Sequence, residues 1–267
     1  MSNSAALLSI LGPAFIAGLL VTAALVPFGF EVLKRGIVFI DLAVAQIAGV
    51  GVIFADFLGW EPQGVAVQVS ALAAALVTAL LLTWTERRWP EVQEAIIGVV
   101  FVLGASGAIL LLASNPHGGE HLKDLLVGQI LWVNPARLPL QALIYAAILA
   151  LWFGLGARLG RVGFYALFAC AVTFSVQLVG LYLVFASLVL PALATYYALR
   201  RRRLKAYSVG MFGYALGLLL SLWLDLPSGA MIVYAMALVA VLAAGLERRR
   251  GAGAGIGLIP AKPPQCP

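Results

Sequence analysis

Three polar side chains interrupt an apolar stretch of the sequence between residues 36 and 59. They are Asp41, Gln46 and Asp56. A carboxylate inside a membrane span often marks a path for protons or cations. On a helix, Asp41 and Asp56 would lie within about 60° of each other but about 22 Å apart along the axis, whereas Gln46 would lie about 140° around from Asp41. The three residues therefore predict no compact ion site.

Each of these side chains also has an ordinary structural interpretation. Asp41 could reach the membrane interface or pair with Lys34, which lies seven residues before it. Asp56 could be solvated or cap the outer end of the helix. Gln46 could form a hydrogen bond between helices. The residue types alone leave these alternatives open.

A polar loop carries the two histidines of the chain, His117 and His121. They flank two glycines and Glu120, and the glycines would let the two rings approach each other. Imidazole and carboxylate groups suit first-row transition metals. The alternative is a loop whose acidic residues cap the following helix. His117, Glu120 and His121 are therefore candidate metal ligands.

Composition indicates which elements must position these residues. The chain has 267 residues, of which 63% are hydrophobic and 10% are charged, whereas soluble domains carry about 25% charged residues. One membrane-spanning helix needs about 20 apolar residues. We predict an all-α, polytopic membrane protein with about eight or nine transmembrane helices. Residues 1–250 would form a single transmembrane domain, and residues 251–267 a disordered cytoplasmic tail.

Charge placement predicts the topology. Of the 17 Lys and Arg residues, 14 fall in five clusters, and cytoplasmic loops of membrane proteins are rich in Lys and Arg. The clusters are Lys34/Arg35, Arg87/Arg88, Arg158/Arg161, residues 200–205 and residues 248–250. All five fall on one side only if residues 162–199 cross the membrane twice, with one short crossing. This predicts a break at Val179-Gly180 and basic loops and a C-terminus in the cytoplasm. The net charge of +6 is explained by these loops and does not indicate nucleic-acid binding.

The segment after Gly180 predicts a docking element. Its apolar helix is expected to stop at Pro191, because proline interrupts helices. Ala192 to Leu199 then form a short segment before the arginines. We predict a small docking helix presented on the basic face.

The sequence contains no GxxxxGK[ST] phosphate-binding loop, so we expect that the chain does not hydrolyse ATP. An ion-coupled secondary carrier that uses Asp41 or Asp56 remains an alternative. No nucleophile–base pair lies inside a span, and we expect no enzymatic activity. Small residues in the second span predict close packing of another helix. These are Ala43, Ala45, Ala48, Gly49 and Gly51.

Several stretches, taken together and in order, resemble the permeases of the zinc/manganese/iron class of ABC importers. FIDLAVAQIAGVG (residues 39–51) is similar to the D-A-L-S-H-A-x-x-P-G-V segment of that family, and EAIIGVVF (residues 94–101) is similar to its acidic-A-x-I-G-x-x-F segment. LKDLLVGQIL, LVLPALAT and LPSGAMIV (residues 122–131, 188–195 and 226–233) also have counterparts there. The resemblance covers most of residues 15–245.

The resemblance implies a type II ABC importer permease in the bacterial cytoplasmic membrane. It implies a permease homodimer, two cytoplasmic ATPase subunits that hold the ATP, and an extracytoplasmic metal-binding protein. The chain itself would bind no cofactor, and its cargo would be zinc, manganese or iron. Asp41 and Gln46 would line the pathway, and the His117–His121 loop would meet the metal or its carrier. The coupling helix would run from Ala192 to Leu199. The residues that couple to the ATPase would be Pro191, Ala192, Leu193, Ala194, Thr195, Tyr196 and Tyr197.

The chain departs from the family pattern at two places. Where the family often has a histidine in the second span, this chain has Ala45 or Gln46. The short ARLGRVG (residues 157–163) replaces a longer acidic segment between spans five and six. The chain therefore resembles a divergent branch, and a permease for chelated iron or a corrinoid remains an alternative.

Overall fold

A computed structural model describes residues 2–60, 64–112, 130–198 and 201–253. Within these residues the chain forms eight α-helices, three short 3-10 segments and no strand. The helices are α1 (Ser2–Arg35), α2 (Ile40–Phe57), α3 (Val65–Arg88), α4 (Gln93–Leu112), α5 (Leu138–Val179), α6 (Leu181–Ala194), α7 (Arg202–Leu224) and α8 (Ser228–Gly253). The prediction of an all-α fold is confirmed.

Eight helical segments in the described residues are long and apolar enough to cross a membrane. Helix α5 contributes to two of them. One is Pro135–Leu155, which includes the short turn before the helix, and the other is Gly160–Val179. The two are separate because Gly160 (φ 59°, ψ −149°) interrupts the helical backbone. Helix α6 has 14 residues and is therefore about 21 Å long, less than the ~30 Å of a bilayer core. Eight spans and one short segment agree with the predicted count.

The predicted break at Val179-Gly180 is present, and the chain reverses there. Gly180 has φ 86° and ψ 162° and separates α5 from α6, a conformation that suits glycine. The ring of Phe168, before the break, lies 6.0 Å from the ring of Phe28 on α1. After the break, Leu188 packs against the neighbouring Gly29. Residues on both sides of Gly180 thus lie at one level of α1, so α6 runs antiparallel to the second half of α5.

The basic clusters lie at one end of the helical bundle, which we call the basic end. Arg35, at the end of α1, contacts Glu86 of α3 with Nη1 and Oε1 3.8 Å apart. Its guanidinium also lies 4.2 Å from the ring centre of Phe164, near the start of the second half of α5. At the start of α7, Lys205 forms an ion pair of 2.6 Å with Glu247 of α8. The guanidinium of Arg202 lies 4.4 Å from the ring centre of Phe30 on α1, which joins the start of α7 to the end of α1. The described residues of the clusters adjoin these contacts, in agreement with the common location predicted from charge placement.

Small residues allow the helices to approach closely, as predicted for the second span. A Cβ added at Gly51 would lie 2.8 Å from the Ser70 carbonyl oxygen and 3.0 Å from Ala71 Cα of α3. The Ser70 hydroxyl donates a hydrogen bond of 2.7 Å to the Gly51 carbonyl oxygen. The other predicted packing residues of α2 are also buried: Ala43, Ala45, Ala48 and Gly49. Helix α2 is therefore in close contact with α3 at Gly51, and its other small residues lie in the interior of the bundle.

The C-terminal boundary differs slightly from the prediction. Helix α8 continues to Gly253, so the first three residues of the predicted tail are helical. Residues 254–267 lie outside the described residues.

Candidate functional site

Asp41 lies in the first turn of α2 and is fully buried. Neither of its carboxylate oxygens has a hydrogen-bond partner among the described residues. Lys34 is exposed, and Asp41 reaches neither this lysine nor the surface of the chain. The structure thus removes the alternatives of interfacial exposure and pairing with Lys34. What remains is a buried carboxylate with no protein partner in the described residues.

Glu94 lies in the first turn of α4, close enough to Asp41 for the two carboxylates to interact electrostatically. Its Oε1 accepts a hydrogen bond of 3.2 Å from the backbone N–H of Phe39, the residue that precedes α2. The free N–H groups at a helix N-terminus favour a nearby negative charge, so Glu94 caps α2 from the neighbouring helix. Its second oxygen, Oε2, is buried without a partner in the described residues. Asp41 and Glu94 form what we call the carboxylate corner.

Glu94 is not among the site residues predicted from the sequence, where it occurs only in the segment that resembles a permease. The sequence nevertheless contains a signal that pairs Glu94 with Asp41. Alternating crossings put the starts of the second and fourth spans on the same side of the membrane. Two acidic residues, each in the first turn of one of these spans, are therefore candidates for one site.

Gln46 does not join the carboxylate corner. It lies five residues farther along α2, where its Cγ would be 3.2 Å from a Cβ added at Gly104 of α4. The absent side chain of Gly104 thus lets Gln46 and the adjacent Ile47 pack closely against α4. The structure supports a packing role for this glutamine at the α2–α4 contact.

Asp56 lies at the opposite end of α2 and is exposed. This placement agrees with the interpretation of Asp56 as a solvated residue. His117, Glu120 and His121 lie outside the described residues, so their role stays a prediction. Among the described residues, no group of three or more His, Cys, Asp or Glu side chains could hold a metal ion. The carboxylate corner supplies two such residues.

The predicted docking helix requires a correction. Pro191 does not end the preceding helix, because α6 continues through it to Ala194. A proline near the end of a helix removes one backbone hydrogen bond, and the neighbouring helices of a membrane protein tolerate such a loss. A turn with hydrogen bonds from Tyr196 N–H to Leu193 O and from Ala198 N–H to Thr195 O follows α6. No separate helix occurs between α6 and α7 among residues 195–198 and 201.

The segment around this turn exposes only some of the predicted coupling side chains. Leu193 and Tyr197 are 54% and 69% exposed, and Tyr196 is 44% exposed. The remaining predicted coupling residues are buried: Pro191, Ala192, Ala194 and Thr195. The guanidinium of Arg202 lies 5.1 Å from the ring centre of Tyr196, so the turn is tied to the start of α7. We call Leu193, Tyr196 and Tyr197 the exposed turn.

A model of the ABC 3 transport family matches residues 8–159 and 149–246 of the chain. An uncharacterized membrane protein of Synechocystis sp. is 28% identical over 257 residues, which cover 88% of this chain and 90% of that protein.

Two solved structures have the same fold. PsaBC from Streptococcus pneumoniae in complex with Fab superposes with a TM-score of 0.71 and 19% identity, covering 87% of this chain and 90% of that chain. A protein described as a metal-chelate type ABC transporter, in an inward-facing conformation, superposes with a TM-score of 0.58 and 15% identity, covering 90% of this chain and 84% of that chain.

Proposed function

This chain belongs to the ABC 3 transport family, and on that premise we propose that it is the membrane-spanning permease of an importer for divalent metal ions. The family places it among the permeases of ABC transporters, which work with ATPase and substrate-binding partners. Membership also argues against an ion-coupled secondary carrier. The metal as cargo, a homodimer and the bacterial cytoplasmic membrane as location are parts of the proposal.

The carboxylate corner is the observation that carries the metal proposal. An ionised carboxylate buried without a partner is costly, and Asp41 has no partner among the described residues. A transiting cation would neutralise this charge. Carboxylate oxygens bind hard and borderline divalent ions, and two carboxylates attract such an ion more than one does. The metal would be transported cargo and not a resident cofactor.

The remaining ligands of the cargo are proposed from the sequence. Gln46 would line the same pathway farther along α2, although its present contact is with Gly104. His117, Glu120 and His121 would receive the metal from an extracytoplasmic binding protein. These three residues would face outward if the basic end is cytoplasmic, because α4 begins at the basic end and the loop follows it.

The exposed turn supports the proposed contact with ATPase subunits. It lies at the end of α6 and next to the arginines that begin α7, hence at the basic end. Because cytoplasmic loops retain Lys and Arg, we place the basic end in the cytoplasm, where ATP would bind the partner subunits. The docking surface would be the exposed turn instead of a separate helix.

The cargo can be tested with the complete complex. The permease would be purified with its partner ATPase and binding protein and reconstituted in liposomes. We expect ATP hydrolysis to rise when the binding protein is loaded with Zn²⁺, Mn²⁺ or Fe²⁺, and one of these metals to accumulate inside. Stimulation by an organic iron chelate or a corrinoid, with none by the free metals, would contradict the metal-ion proposal.

The docking surface can be tested separately with a matched pair of variants. Tyr197→Ala removes the most exposed ring of the turn, whereas Tyr182→Ala removes a ring that is 53% exposed at the other end of α6. We expect Tyr197→Ala to weaken co-purification of the ATPase by about 10-fold, as for a central aromatic interface residue, and Tyr182→Ala to leave it unchanged. Equal retention of the ATPase by both variants would place the contact elsewhere.

A further inference from the structure

Phe39 touches two parts of the molecule that the proposed function assigns to different tasks. Its backbone N–H donates to Glu94 Oε1 at 3.2 Å, and Asp41 follows two residues later. Its side chain stacks on Phe185 of α6, with ring centres 6.1 Å apart and planes 6° from parallel. A single residue thus contacts both the carboxylate corner and α6.

Helix α6 leads directly from this stacking contact to the exposed turn. Phe185 lies eight residues before Leu193 on one continuous helix, which corresponds to about 12 Å along the axis. The helix is continuous across Pro191, so we expect a displacement of the turn to move Phe185 as well. Helix α6 also packs on α1, where Leu188 contacts Gly29, and on α8.

We propose that Phe39 is a positioning residue that links movement of α6 to the binding state of the carboxylate corner. The proposal rests on the proposed function, because it takes the exposed turn as the ATPase contact and the corner as the cation site. When the ATPase subunits displace the turn, Phe185 carries the ring of Phe39 with it. The Phe39 N–H then leaves Glu94 Oε1, and the freed carboxylate changes the affinity of the corner for the cation.

The hydrogen bond and the stacking contact give this link a direction. While Phe39 donates to Glu94, one carboxylate oxygen is occupied by a protein donor and is less available to a cation. Loss of that bond makes the oxygen available. Coupling between two sites requires such a difference in contacts between two states. Phe39 provides this difference in contacts through its backbone N–H, and its ring provides the connection to α6.

The test compares ring removal at Phe39 with ring removal at a matched position. Phe39→Ala removes the stacking partner but keeps the backbone N–H, and Phe54→Ala removes a ring of similar exposure from α2, the helix that Phe39 precedes (50% and 48% exposed, respectively). Both variants would be reconstituted with the ATPase and binding protein, with Mn²⁺ and Zn²⁺ as probes. The readout is the number of metal ions transported per ATP hydrolysed.

We expect Phe39→Ala to assemble and hydrolyse ATP at a rate close to that of the wild type while the transport ratio falls at least about 5-fold, the lower range for coupled sites. Phe185→Ala should give the same loss, and the double variant should be no worse than either single variant, because both remove one contact. Phe39→Tyr keeps the stacked ring and should keep the ratio. Phe54→Ala should behave as the wild type.

Three results would overturn the link. They are a wild-type ratio in Phe39→Ala, an equal loss in Phe54→Ala, and additive losses in the double variant. If Phe39→Ala fails to fold, Phe39→Leu against Phe39→Tyr provides the same comparison. A wild-type complex that hydrolyses ATP but transports no divalent metal contradicts the proposed function, whereas transport by the wild type with an unchanged ratio in Phe39→Ala contradicts only the link.

Discussion

Arg35 and Asp41 lie six residues apart, on either side of the turn between α1 and α2, and their surroundings are opposite. Arg35 Nε donates to Glu31 Oε1 at 3.0 Å, its Nη1 approaches Glu86, and its guanidinium covers Phe164. Asp41 is more deeply buried and has no hydrogen-bond partner among the described residues. One charge joins three helices, and the other is left without a partner.

This contrast separates charges that hold the fold from charges that are available for transport. A charge with several partners contributes to stability, because removing it leaves those partners unsatisfied. A buried charge without partners lowers stability, and its presence calls for a functional explanation. On this basis the basic end is a structural junction, and the carboxylate corner beside it is the candidate cation site. Substitutions on the two sides should therefore change different quantities.

Asp41→Asn should produce the largest effect on activity. It removes the negative charge while keeping the shape of the side chain, so metal uptake should fall at least 10- to 100-fold, roughly the range seen when even the supporting contacts of a metal ligand are lost. Thermal stability in detergent should stay the same or rise, because no protein partner loses its bond. Wild-type uptake by a well-folded Asp41→Asn permease would show that the carboxylate corner does not lie on the transport pathway.

Arg35→Met should produce the opposite pattern. The apolar stem remains, but Glu31 and Glu86 lose their cationic partner. Unsatisfied partners of this kind cost about 1–3 kcal/mol, measurable as reduced stability in a denaturant titration in detergent. Uptake normalised to folded permease should remain near the wild-type rate, and Arg35→Lys should be intermediate, because it keeps the charge and loses the planar fork. An unchanged free energy of unfolding in Arg35→Met would show that the contacts of Arg35 do not stabilise the fold.

Asp56→Asn should produce the smallest effect and serves as the control for Asp41→Asn. The same chemical change is made on the same helix, but at an exposed position. We expect a change in stability within about 0.5 kcal/mol and uptake close to that of the wild type. Uptake lost to the same extent as in Asp41→Asn would mean that exposure does not distinguish the two carboxylates.

Much of this fold could be predicted from the sequence, because membrane spans and basic loops leave strong local signals. The reversal at Gly180 followed from counting crossings between basic clusters, and the structure shows its physical cause in a positive φ angle. The close contact at Gly51 followed from a run of small residues. Both features depend on residue types near each other in the chain.

The site was harder to predict because it depends on contacts between distant parts of the chain. Glu94 and Phe39 are 55 residues apart, and neither residue type alone indicates their contact. Pro191 gave a misleading signal, since the rule that proline ends a helix holds less well where neighbouring helices surround it. The buried state of Asp41 likewise depends on how α2 is packed, which residue spacing does not specify.

The close approach at Gly29 also fixes how far α6 lies from α1. A Cβ added at Gly29 would meet the Leu188 carbonyl oxygen and would lie 3.2 Å from the Cβ of Ala192, so two successive turns of α6 rest on one backbone position of α1. The missing side chain of this glycine thus sets the distance between α1 and the helix that carries the exposed turn. Any larger residue at this position would force α6 outward.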